Sequence, residues 1–173
     1  ISDRDTPFNP TSHSYFNLNP RAKTIVKHRL KINSSEFLEI DNDFIPTGEF
    51  KNAASTPFDF LSEKIIGDDL NKNNKQLNIA KGYDHCFVLN KGQKIAAELS
   101  ELESGRLIQI FTDQPGIQLY TGNHLKGVFS KNQGLCLETQ HFPNSPNISS
   151  FPSTLLKSNT NYYSKTSYHF KNL

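Results

Sequence analysis

Turn-forming residues punctuate this chain so densely and evenly that it is cut into short segments. Signals at Asn19-Pro20, Pro46-Thr47-Gly48, Asn90-Lys91-Gly92, Pro115-Gly116 and Pro143-Asn144-Ser145-Pro146 divide it, with nine Gly and nine Pro spread along its length. Between them apolar residues tend to alternate, the period of a half-buried strand. Leu30 and Ile32, Phe37 to Ile40, Arg106 to Phe111, Ile117 to Tyr120, Gly134 to Thr139 and Asn161 to Phe170 all read as strand, and an apolar strand follows Asp84. Pro115-Gly116 predicts a type II turn, because Pro sets φ at its first central position and Gly accepts φ > 0 at the second. Helical signal is confined to Asp59–Ile66, which Gly67 would stop within two turns, and the polar run Asp68–Gln76 reads as a solvated loop. Many short strands joined by turns predict an all-β antiparallel sandwich or barrel. No internal repeat or break in composition separates a second domain.

At 173 residues the chain is long enough for a single domain with a core of its own. It carries 19 Lys+Arg against 17 Asp+Glu, a formal charge of +2 without a single-sign block, so neither nucleic acid nor a membrane surface is an expected partner. No run of apolar residues is long enough to span a bilayer. Cys86 and Cys136 form no CxxC pattern, which suits free thiols in a reducing compartment and makes the cytoplasm the default location. Two Asn-x-Ser sequons, at Asn33 and Asn147, are discounted because nothing resembles a signal peptide. The chain contains no methionine and opens on Ile1, which leads us to expect a further segment before it in the gene.

Three segments place an ionisable residue among apolar or aromatic neighbours, where desolvation shifts acidity. His13, in Ser12-His13-Ser14-Tyr15-Phe16, has hydroxyls to orient an imidazole for proton transfer near neutral pH, although a histidine capping a turn has the same pattern. Asp84, in Gly82-Tyr83-Asp84-His85-Cys86, could reach a ligand above a sheet edge or satisfy backbone N–H groups of a turn. Glu138 lies in Leu135-Cys136-Leu137-Glu138-Thr139-Gln140. Alternation puts Cys136 and Glu138 on one face and Leu135 and Leu137 on the other, so Glu138 either enters a partly dry site with a raised pKa or pairs with a lysine at a rim. A metal centre is not expected: Glu138 and His141 would point to opposite faces of a strand, as would Asp84 and His85, and no Cys/His set has ligand spacing. There is no Gly-x-Ser-x-Gly elbow and no phosphate-binding glycine loop.

In the same order, the segments Asn9–Leu18, Ile45–Glu49 with Thr56–Phe60 and Ile66-Gly67, Gly82–Leu89, Thr112–Asn123, Leu137–Asn147 and Ser164–Phe170 make the chain similar to the C-terminal half of the aldose 1-epimerase (galactose mutarotase) family. The resemblance is colinear over essentially all residues, and makes 1–173 the C-terminal part of a single domain. It implies a large antiparallel β-sandwich with a sugar cleft that interconverts the α and β anomers of galactose or a related aldohexose such as glucose. By motif match Glu138 would be the base, His13 the acid and Asp84 a holder of sugar hydroxyls, with no cofactor and no metal required. The chemistry asks only for an acid and a base across the C1–O5 bond, and an oriented polyol.

The family's N-terminal half would add strands, an arginine and a second histidine. None of His28, His85, His124, His141 and His169 sits in a segment resembling that motif. Smaller departures are Ser12, where Asn is common, and His124, where an aromatic is usual. The expected partner is therefore the missing half, in cis or as a separate chain, and alone this chain is expected to expose sheet edges and to aggregate or assemble. The alternatives are a half-sandwich that binds carbohydrate, or regulates a partner, without turnover, and an inert remnant.

Overall fold

The computed structural model describes residues 1–173. In chain order its strands are β1 (Thr6–Pro7), β2 (Tyr15–Phe16), β3 (Arg29–Ile32), β4 (Ser34–Ile40), β5 (Pro46–Asn52), β6 (Lys64–Ile65), β7 (Asp84–Leu89), β8 (Ala97–Glu101), β9 (Arg106–Thr112), β10 (Gly116–Tyr120), β11 (Leu135–Gln140), β12 (Leu155–Leu156) and β13 (Thr166–Asn172). One short helix, α1 (Lys75–Ala80), and two 3₁₀ turns, Ile66–Asp68 and Ser145–Asn147, interrupt them. Every pairing is antiparallel. A six-stranded sheet runs β2-β11-β10-β7-β4-β5, a five-stranded sheet runs β13-β9-β8-β3-β6, and β1 pairs with β12 apart from both. The all-β antiparallel class read from the sequence is the class observed.

The core lies between the two large sheets. Phe37, Phe87, Ile117, Leu119, Leu135 and Leu137 meet Leu30, Ile32, Ala97, Leu99, Ile108 and Ile110 across it, with Phe58, Phe60 and Tyr83 filling the space from connecting segments. Phe58 stacks on Phe37 at 4.0 Å between ring centroids. Because strand residues alternate in direction, committing these side chains to the core fixes what the opposite face of the six-stranded sheet must carry. That face receives Asp84 and Cys86 from β7, Gln118 and Tyr120 from β10, and Cys136 and Glu138 from β11.

The structure departs from the sequence reading in several places, each with a tertiary cause. Asp59–Ile66 is not helical: Lys64 and Ile65 pair with Leu30 and Arg29, and the Ile66 N–H donates to the His28 carbonyl. The polar run ends in a helix rather than a loop. Asn74 caps α1 by accepting from the N–H groups of Gln76 and Leu77, and Lys81 closes it at φ 58. Gln76 is buried, its Nε2 donating to the Ile40 carbonyl and its Oε1 accepting from the Ile40 N–H, so one side-chain amide takes the place of a strand neighbour for β4. Pro115-Gly116 is no type II turn, since Gly116 has negative φ and opens β10. It is glycine because a Cβ there would lie 2.8 Å from Cys86 Sγ and 3.1 Å from the Phe142 ring. The chain at this point crosses from one sheet to the other. Pro46-Thr47-Gly48 begins an edge strand, where a missing N–H is tolerated, and the last strand starts at Thr166 rather than Asn161.

Candidate active site

The site is built where β11 lies between β10 and the short β2. All six residues of β11 are buried. One face feeds Leu135 and Leu137 to the core, and segment 9–16 lies along the strand on its other side. That segment is fastened by polar groups on both sides of His13. The Asn9 side chain donates to the His141 carbonyl and accepts from the His141 N–H, each at 2.9 Å, and Thr11 Oγ1 donates to the Thr139 carbonyl at 3.1 Å. Beyond His13, Tyr15 and Phe16 pair with Cys136 and Leu135.

His13 is thereby held over β11. Its Nδ1 lies 3.3 Å from the Cys136 thiol, and its Nε2 lies 3.8 Å from Glu138 Oε1. Tyr15 and Tyr120 flank the imidazole at centroid distances of 5.1 and 6.1 Å. His13 is more than half exposed as a side chain, whereas Glu138 is 7% exposed. Burial therefore raises the Glu138 carboxyl above its ordinary value, and the neighbouring Asp84 carboxylate pushes the same way while the His13 cation opposes it. Of the two alternatives open to Glu138 in the sequence, the dry face is the one observed.

Asp84 is half-buried at the start of β7. Its carboxyl is also raised by burial, against a 2.7 Å hydrogen bond donated by Gln118 Nε2 and the field of His124 and His13. Cross-strand register puts Gln118 opposite both Glu138 and Cys86, and Tyr120 opposite both Cys136 and Asp84. The structure thus brings His13, Asp84 and Glu138 to one sheet face and adds Gln118, whose Oε1 is buried without a partner. A buried acceptor without a partner is one that a ligand donor could satisfy. Alternation within Ile117-Gln118-Leu119-Tyr120 carried that signal, since it sets Gln118 on the face away from the core.

His85 turns the other way, into the core against Phe58 at 4.7 Å, where burial lowers its pKa to about 3. His141 is engaged through Nδ1 with Gln114 Oε1 at 2.9 Å. Both cysteines are free and buried. Local sequence carries no sign that Cys136 meets His13, and His13, Cys136 and Glu138 together offer three donor atoms within 4.8 Å of one another, where no ligand set was expected.

The face is open. A neighbouring groove of about 350 Å³, lined by Tyr15, Phe16, Leu125 and Phe129 among others, runs beside it, and Val128 and Phe129 are exposed. No helix is long and apolar enough to cross a membrane.

Comparison with known proteins gives the family. The aldose 1-epimerase family model matches residues 1–169. Galactose mutarotase of Sus scrofa is 38% identical over 98% of this chain, and aldose 1-epimerase of Escherichia coli K12 is 36% identical over 97%. Among solved structures, galactose 1-epimerase from Lactobacillus acidophilus superposes with a TM-score of 0.83 at 30% identity over 99% of the chain, and an aldose epimerase homologue from C. elegans with 0.86 at 27% identity over 95%. The chain spans about half the length of these relatives: 51% of the pig protein, 52% of the E. coli protein and 51% of each solved chain. Matched by the family model over nearly all its residues and by relatives along its whole length, the chain belongs to the aldose 1-epimerase family.

Proposed function

We propose that this chain carries the acid–base pair of a mutarotase that interconverts the α and β anomers of galactose or a related aldohexose. Glu138 takes the proton of the anomeric C1 hydroxyl while His13, as imidazolium, gives one to the ring oxygen O5. The C1–O5 bond breaks to the open-chain aldehyde, C1 rotates about its bond to C2, and closure on the other face returns both protons. The observation that supports this most is a nearly buried carboxylate 3.8 Å from an exposed imidazole, with the carboxyl made more basic by desolvation. Asp84 and Gln118 hold sugar hydroxyls, with Gln118 Oε1 accepting from one of them. Residues 1–173 form the C-terminal part of a single aldose 1-epimerase-like domain, and the other half, in cis or as a partner chain, completes the sugar cleft. The coverage of about half of each relative supports that reading, and the cytoplasm is where we place the reaction.

The test is polarimetry of freshly dissolved α-galactose with the complete gene product. Glu138→Gln and His13→Asn are each expected to lower the rate by about 10²–10⁴-fold. Full activity in either variant would overturn the assignment. Calorimetric sugar binding with no anomer exchange by the complete product would favour the alternative of a carbohydrate-binding half-sandwich.

A further inference from the structure

The proposed reaction leaves one member of the site unused, the Cys136 thiol beneath the His13 ring. We propose that His13, Cys136 and Glu138 form a binding site for a thiophilic divalent cation of the zinc type. The consequence that such an ion inhibits anomer exchange rests on the catalytic reading above, but the binding itself does not.

Five observations support the site. The donor atoms are one nitrogen, one sulfur and one oxygen, all within 4.8 Å of one another. The 3.3 Å from His13 Nδ1 to Cys136 Sγ is close to the separation of two ligands of one tetrahedral ion, whose bonds run about 2.0–2.3 Å. Two of the donors project from one strand at i and i+2, inside the ladder to β10, so the sheet fixes the backbone positions from which they reach the site. The third, His13, is on the solvent side and gives an ion its way in. Asp84, whose charge is felt by both Glu138 and Cys136, adds negative potential at the same face.

The chemistry selects the metal. Cys136 is a free, buried thiol, and to ligate an ion its sulfur gives up the thiol proton. An ion binds by forming a metal–sulfur bond and releasing that proton to solvent, which Zn²⁺ and Co²⁺ can drive and the hard ions Mg²⁺ and Ca²⁺ cannot. Bound there, the ion takes up the imidazole and the carboxylate that the proton transfers require. Three protein ligands would leave a fourth position for water or a ligand.

The experiment titrates the complete gene product, reduced and metal-free, with Co²⁺. The expected result is one ion per chain with sulfur-to-cobalt charge-transfer absorption, displaced by Zn²⁺ and unaffected by Mg²⁺. Cys136→Ser should abolish the band, and His13→Asn should weaken binding by about tenfold or more. Cys86→Ala should keep the band, which assigns it to Cys136, and circular dichroism of each variant separates lost binding from lost folding. No thiolate band in the folded protein, or a band that survives Cys136→Ser, overturns the proposal. Zinc that binds as described yet leaves anomer exchange at full rate would keep the metal site and overturn the catalytic roles of His13 and Glu138 instead.

Discussion

Replacing Gly82 by alanine tests how the start of β7, and with it Asp84, is held. Gly82 sits at φ 142, a conformation that side chains rarely adopt, and its missing Cβ would fall 2.2 Å from Asn123 Oδ1. Asn123 is buried and cannot simply swing away. Its Nδ2 donates to the carbonyls of Ala80 and Tyr83 at 3.0 and 2.8 Å, and its Oδ1 accepts from Thr121 Oγ1 at 2.7 Å. Backbone strain costs about 1–3 kcal/mol, and displacing the amide sacrifices up to three buried hydrogen bonds at about 1 kcal/mol each. The expected loss is therefore about 3–5 kcal/mol. Gly105→Ala is the internal control: φ is also positive, at 66, but nothing lies within 4 Å of the added carbon, so only a strain of about 1–2 kcal/mol remains. Urea unfolding followed by far-ultraviolet circular dichroism measures both, and adding Asn123→Ala to Gly82→Ala removes the obstacle. The double variant should be less destabilised than the sum of the singles by about 1 kcal/mol or more. Equal losses in Gly82→Ala and Gly105→Ala, or strict additivity with Asn123→Ala, would refute the steric account.

Two further outcomes follow from buried polar groups. Burial holds the Glu138 carboxyl above 4.5 in the folded chain, so the folded state binds its proton more tightly than the unfolded state does, and the ionised group detracts from stability at neutral pH. That deficit shrinks as pH falls through the folded value and is gone below the unfolded one. Glu138→Gln, a mimic of the protonated form, should raise the urea midpoint near neutral pH and lose its advantage in acid; a midpoint unchanged or lowered at neutral pH contradicts this. Gln76→Leu strips Ile40 of both the donor and the acceptor that satisfy it, and at about 1–3 kcal/mol per orphaned buried group should cost about 2–4 kcal/mol in the same assay. A loss well under 1 kcal/mol would mean that the amide is not the neighbour β4 relies on.

What the sequence disclosed of this molecule was what local periodicity encodes. In β11 the alternation of Leu135 and Leu137 with Cys136 and Glu138 predicted which side chains face the core, and the same reading of β10 would have found Gln118. Helix α1 was hidden because its stability comes from tertiary partners: Gln76 looks like one more polar residue until its amide is seen against Ile40. Lys64 and Ile65 belonged to a helical pattern and were claimed by β3, whose partner strand could not be read locally. The encounter of Cys136 with His13 was illegible for the same reason, since 123 residues separate them and only the long-range docking of segment 9–16 on β11 joins them. The resemblance to the family brought His13 and Glu138 together in advance; the residues alone did not.

The β2 pairing also bears on when the site comes into being. Two residue pairs hold β2 to β11, and the loop they close takes in most of the chain, so its entropy must be met before the contact returns anything. β11 has to be seated on β10 before segment 9–16 has a surface to lie against. The imidazole therefore docks late in folding, and a two-pair edge is among the first places where a native sheet opens. With the Asn9 and Thr11 hydrogen bonds on its other side, this short edge makes the position of His13 depend on a completed sheet, and a local opening there would move the imidazole while the sandwich behind stays intact.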